Sequence, residues 1–162
     1  MSVMADVRAA VRNTVRTVLR GWHGPEGLTD RPLWPGAETT APEPANWIEA
    51  VRAARLLVET SNSVMVEFAC SARADGHTWD EVAEALGLTE DDGAAPAVRA
   101  FEWAMRCWAA SDASYLAWEC ATCGKRVQDH GPYYANPQDA ERGHALDCAR
   151  WRRAIEAYEG EA

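Results

Sequence analysis

The sequence predicts a mainly α-helical protein, a helical bundle with a helix-turn-helix-like pair, closed by a small ββα module at the C-terminus. Three observations carry this expectation. Apolar residues recur at three- and four-residue steps through residues 3–20, 46–74 and 96–108. Capping signatures and single glycines punctuate residues 76–96 at short intervals. Cysteine and histidine concentrate at 120–123 and 144–148, beside two strand-like stretches. The chain accordingly divides into an Arg-striped amphipathic helix (1–20), a Pro/Gly-rich linker (21–45), a helical body (46–112), and the C-terminal module with a last helix (113–162).

In the first helix, Val3, Val7, Val11, Val15, Val18 and Leu19 share one face, and Arg8, Arg12, Arg16 and Arg20 step by four along the adjoining face. That stripe reads either as a solvated flank packing on acidic helices or as a surface for phosphates or an acidic partner. Five of the eight prolines and four glycines fall within 21–45, so no regular element is expected there. Asn46 and Glu49 open the next helix, whose apolar positions Ile48, Val51, Leu57, Val58, Met65, Phe68 and Ala72 carry it toward Ala74, with Gly76 as its stop. Thr78-x-x-Glu81 is a capping box for a short helix lined by Trp79, Val82, Ala83 and Leu86 and closed by Gly87. Thr89 with Asp92 offers a further helix start. Pro96 opens a longer helix with Val98, Phe101, Met105 and Trp108 on its inner stripe.

Composition narrows the function classes. With 48% hydrophobic and 25% charged residues the chain resembles an ordinary globular protein. No uncharged apolar run reaches about 18 residues, and the N-terminus is studded with arginine, so neither a membrane span nor a signal peptide is expected and the protein reads as cytoplasmic. A formal charge of −9 opposes non-specific coating of nucleic acid unless the basic residues are segregated. Fifteen arginines against one lysine, and 31 alanines against two isoleucines, reflect GC-rich coding of an actinobacterial type and say nothing of chemistry.

The chemically specific signal is Cys120-x-x-Cys123-Gly124-Lys125, followed after a gap by His144-x-x-x-Cys148. A tight Cys-x-x-Cys knuckle supplies two tetrahedral ligands, and a four-residue His-Cys step on a helix opened by Pro137, with Asp139 and Glu141 in its first turn, would supply two more from one face. With Tyr115–Glu119 and Arg126–Asp129 as flanking strands, the segment reads as a ββα module holding one Zn2+. Four protein ligands leave no open position, so the zinc is structural. The competing readings are buried thiols or a redox pair; redox chemistry would normally bring a βαβ context, and it leaves the His-Cys pair unexplained. Cys70 and Cys107 read as small core residues of helices. His23, His77 and His130 read as single loop histidines.

Residues 79–89, Trp-Asp-Glu-Val-Ala-Glu-Ala-Leu-Gly-Leu-Thr, resemble the first helix and turn of a helix-turn-helix. The would-be recognition helix, Glu90 to Pro96, carries carboxylates at Asp91 and Asp92 and an internal Gly93, all poor for major-groove reading. Taken with Trp118-x-Cys120-x-x-Cys123-Gly124-x-x-Val127-x-Asp129-x-Gly131-Pro132 and Glu141-x-Gly143-His144-Ala145-x-x-Cys148-x-Arg150, the segment resembles a family of small actinobacterial proteins that join such a segment to a Cys-Cys-His-Cys zinc module. The resemblance covers about residues 50–153. It implies metal binding and, through the helix-turn-helix label, a DNA-binding regulatory role.

No phosphate loop and no Ser-His-Asp set is present, so the chain is not expected to be an enzyme. Two functions remain: a zinc-stabilised regulator that contacts DNA through Arg8, Arg12, Arg16, Arg20, Lys125, Arg126, Arg150, Arg152 and Arg153, or an adaptor that binds an acidic protein partner or a second copy of itself without nucleic acid.

Overall fold

The computed structural model describes residues 2–91, 93–108 and 114–161, and it is mainly helical with two small antiparallel sheets. The expected boundary at 112/113 and Asp92 of the expected Thr89 helix start lie outside the described residues. The contacts divide the chain into two compact units, Met1–Ser61 and Asn62–Ala162. No helix among the described residues is long and apolar enough to cross a membrane.

In the first unit, α1 (Val3–His23) buries Leu19 and leaves Val3, Val7 and Val11 exposed. The segment read as a linker is instead folded: a 3₁₀ turn leads into a hairpin of β1 (Leu28–Pro32) and β2 (Thr40–Pro44). Its register explains why the prolines permit it. Leu33 N–H donates to the Thr39 carbonyl and Ala45 N–H to that of Gly27, which places the hydrogen-bonded pairs at 27/45, 29/43, 31/41 and 33/39. Pro32, Pro42 and Pro44 all fall on the alternate positions, where a strand needs no ladder N–H and where both strands are edges. Asn46 accepts from Ile48 N–H at 2.9 Å and opens α2 (Trp47–Asp75), whose residues are shared between the units. The apolar stripe expected to face a core does not: Ile48, Val51 and Val58 are 62, 65 and 61% exposed, and Ala53 is buried instead.

The second unit has one continuous core. It runs from Val66, Ala69 and Cys70 of α2 through α3 (Trp79–Ala85) and α4 (Pro96–Cys107) to β3 (Leu116–Glu119), β4 (Arg126–Asp129), Cys120 and Cys148. The capping box forms as expected, with Glu81 N–H donating to Thr78 Oγ1 at 3.2 Å and Thr78 N–H donating to Glu81 Oε2 at 2.7 Å. No helix starts at Thr89. Among the described residues, Asp91 and Ala94 form an isolated bridge around Gly93, whose φ is 77°, and the next helix begins only at Pro96. Of the expected α4 stripe Phe101 is buried, whereas Val98 and Met105 are half-buried and Trp108 is exposed; the rest of the buried face is Ala97, Ala100 and Ala104, small residues that let α3 and α4 approach closely.

The hairpin of β3 and β4 forms where expected, but the C-terminal region is not a simple ββα unit. The helix opened by Pro137 ends after one turn (α5, Pro137–Ala140), β5 (Glu141–Arg142) adds a third strand to β4, and α6 spans Ala149–Glu161. Gly143 permits this path. Its φ is 104°, and a Cβ there would sit 2.6 Å from the Arg126 carbonyl oxygen, so only glycine lets the chain pass this closely against β4.

Candidate metal centre

Four side chains converge from the connections around β3, β4, β5 and α6. Cys120 directly follows β3, Cys123 lies in the turn between β3 and β4, His144 follows β5, and Cys148 immediately precedes α6. Their ligand atoms lie within 4.8 Å of one another, with Cys120 Sγ to Cys148 Sγ at 3.9 Å and Cys123 Sγ to His144 Nδ1 at 3.7 Å. The cluster can therefore hold a metal ion. His144 and Cys148 reach it from a loop and a helix start, not from one helical face as their spacing predicts. Gly124, with φ of 64°, lets its N–H donate to the Cys120 carbonyl at 2.8 Å, and Cys120 N–H donates to that of Lys125 at 2.9 Å, closing the knuckle.

The environment prepares the thiols for ionisation unequally. Burial opposes ionisation of Cys120 and Cys123, but the backbone N–H groups of Cys123 and Thr122 at the first, and of Ala145 and Lys125 at the second, outweigh it, so both thiols titrate below their ordinary value. Cys148 moves the other way, through burial and through the two neighbouring thiols, despite the Trp151 N–H. Cys70, outside the cluster, has its thiol pushed up to about 11 by burial and the nearby Asp129. That is the behaviour of an inert core residue.

A ring of buried polar groups surrounds His144, whose side chain is wholly buried. The imidazole lies between Trp118 and Trp151, each centroid 5.8 Å away, the second stacked at 21°. Its Nε2 is 2.9 Å from Glu141 Oε2. Glu141 also receives both Nη groups of Arg150, at 3.0 and 3.1 Å, and one of Arg73. Burial disfavours its charge, yet the His144 hydrogen bond and the two guanidiniums more than compensate, holding its carboxyl below the usual range. Arg73 then donates through Nε to Asp129 Oδ2 at 2.9 Å. Asp129 is fully buried and further accepts from the indoles of Trp79 and Trp118, both at 3.2 Å, and from Gly131 N–H at 2.8 Å.

The structure brings Cys120, Cys123, His144 and Cys148 together and disperses the basic residues. Arg150 is not a surface contact: it is tied to Glu141 and lies 4.9 Å over the Trp118 ring. Arg16 pairs with Glu43 at 3.0 Å, whereas Arg8, Arg12 and Arg20 are exposed on α1, and Lys125, Arg126, Arg152 and Arg153 on the second unit. Arg73, Trp79 and the structural role of Asp129 were missed from sequence, since the contacts that join them, Arg73 to Asp129 and to Glu141 and Trp79 to Asp129, span 56, 68 and 50 positions. Comparison with family models, curated proteins and solved structures finds no match to this chain.

Proposed function

We propose that the chain is a zinc-stabilised, non-catalytic interaction protein. The observation that carries the reading is that the ligand atoms of three thiols and one imidazole lie within 4.8 Å of one another. A tetrahedral ion with Zn–S of about 2.3 Å and Zn–N of about 2.0 Å sets ligand-to-ligand edges of about 3.8 Å and 3.5 Å. The 3.9 and 3.7 Å separations lie close to these. Sulfur-rich tetrahedral sets select zinc over harder cations, and a site filled by four protein ligands has no position for a reacting water, which favours a structural role.

The interaction role is supported by how charge and apolar surface are distributed. Seven arginines balance seven carboxylates in residues 1–61, so the whole formal charge of −9 falls on residues 62–162. A metal-bearing unit of that charge repels a polyphosphate. The neutral first unit instead exposes Val3, Val7 and Val11 on α1, the helix that carries Arg8 and Arg12, and Ile48, Val51 and Val58 on α2, apolar surface suited to a partner edged with carboxylates. The DNA-binding regulator remains as a second reading because Arg8, Arg12 and Arg20 are exposed on one helix. Chromatography on immobilised DNA near about 50 mM and 200 mM salt separates the two. The interaction reading predicts no retention at either; retention that falls with salt and is lost on replacing Arg8, Arg12 and Arg20 by Gln supports the regulator.

A further inference from the structure

The geometry points to Arg73 as a positioning residue for the metal centre: by bridging Glu141 and Asp129 it holds His144 in its ligating orientation from the end of α2. This inference rests on reading the Cys/His cluster as a metal centre.

A neutral histidine that ligates through one nitrogen carries its proton on the other, and the group that accepts that proton selects the tautomer and aims the ring. In His144, Nδ1 faces Cys123 Sγ and Nε2 faces Glu141, so Nε2–H donating to Glu141 leaves the Nδ1 lone pair toward the cluster. The carboxylate doing this is itself buried and stays in place only with its charge compensated. Arg150 supplies part of that compensation from α6, two residues past Cys148. Arg73 supplies the rest from a different part of the chain, 71 positions before His144. It is only 8% exposed, and its other contacts, the Asp129 carboxylate and the His77 carbonyl, fix its fork on three sides. Asp129 in turn is clamped by Trp79, the first residue of α3. The path from His144 through Glu141, Arg73 and Asp129 to Trp79 therefore ties the ligand to the junction of α2 and α3. A guanidinium is the group suited to this, because its planar fork serves two carboxylates at once where an ammonium serves as a point charge.

The test uses the full chain loaded with cobalt(II), which reports ligand identity by its absorption spectrum, and measures affinity by competition with a chromophoric chelator. Arg73→Lys keeps the charge and loses the fork. Glu141→Gln keeps an acceptor for Nε2–H and gives up the ion pair with Arg73, and it serves if Arg73→Lys does not fold. Both should weaken cobalt binding about 10- to 100-fold while the protein remains folded, a loss typical of outer partners of a metal-bound histidine. The spectrum of Arg73→Lys should also shift as the His144 nitrogen is lost from part of the population, a change that a general loss of stability does not produce. Wild-type affinity and an unchanged spectrum in both variants would overturn the assignment while leaving the metal centre intact. A wild-type chain that binds no cobalt would overturn the metal centre itself and this inference with it.

Discussion

The two units of the chain solve the same problem of stability in opposite ways. Residues 62–162 bury charge: Arg73 and Asp129, with the partly buried Glu141 and Arg150, form an ion-paired group beside four side chains that could hold a metal ion. Residues 1–61 expose apolar surface, with Leu19 and Ala53 as their buried hydrophobic side chains among the described residues. The contrast teaches that specific chemistry and self-sufficiency go together here. A unit that invests in buried charges holds together only while each partner is present. Under the proposed interaction role, the exposed valines of the first unit are the surface a partner would cover.

The largest expected effect that sharpens this contrast is metal loss. A free-standing C-terminal module would unfold alone, but Cys120, Cys148 and Leu116 share a core with α2, α3 and α4. Cys123→Ala or exhaustive chelation should therefore raise deuterium uptake from residue 66 through residue 155, while α1 and the β1–β2 hairpin keep their protection. Structural zinc contributes about 10–16 kcal/mol in small metal-dependent domains, comparable to a typical domain's total stability of about 5–15 kcal/mol. Loss of protection confined to residues 115–150 would show that the module folds by itself.

Next in size is Asp129→Ala, which leaves the Arg73 Nε–H and two indole N–H groups without their acceptor. A loss of about 3–5 kcal/mol in urea denaturation of the metal-loaded chain is expected for breaking one side of a buried pair. A loss below about 1 kcal/mol would mean that water or Glu141 takes over the role of Asp129.

Thr78→Ala should cost about 1 kcal/mol by removing the N-cap of α3. The same cap predicts a pH dependence. Thr78 N–H, and then His77, hold the Glu81 carboxyl below its ordinary value. A carboxyl with a depressed folded value stabilises the fold above its unfolded value and loses that contribution as pH falls through the folded one. Wild-type stability should thus fall on acidification below about pH 4.5, and the fall should be smaller in Glu81→Gln, which keeps the cap geometry without titrating.

The smallest effect belongs to the first unit. Replacing Val51 and Val58 by Ser should change unfolding free energy by no more than about 0.5 kcal/mol, as for exposed positions elsewhere. The same double variant should weaken whatever association the native chain shows in sedimentation; a large loss of monomer stability instead would mean that these residues belong to the chain's own core.

How far the fold could be read from the sequence follows the range of the interactions involved. Helices α1, α2, α3 and α4 were legible because a period of 3.6 and a capping box are local, and Thr78 with Glu81 forms as its spacing implies. The convergence of Cys120, Cys123, His144 and Cys148 was legible because cysteine and histidine at those spacings are rare outside metal sites. The hairpin of 28–44 was not, since proline reads as a breaker unless its parity in the register is known. The one-turn α5 was missed because the constraint on Gly143 comes from the carbonyl of Arg126 on a neighbouring strand. The faces of α2 and α4 were misjudged because hydropathy alone favours valine and tryptophan over the alanines that close packing selects. Arg73, Glu141 and Asp129 were hardest, for their meaning lies in partners 56 and 68 positions apart in the chain.

The central claim is a filled tetrahedral zinc centre, and X-ray absorption at the zinc edge of protein purified without chelator tests it most directly. One zinc per chain is expected, with three sulfur ligands at about 2.3 Å and one nitrogen at about 2.0 Å. Protein free of tightly held metal, or an ion surrounded by oxygen donors, would contradict it.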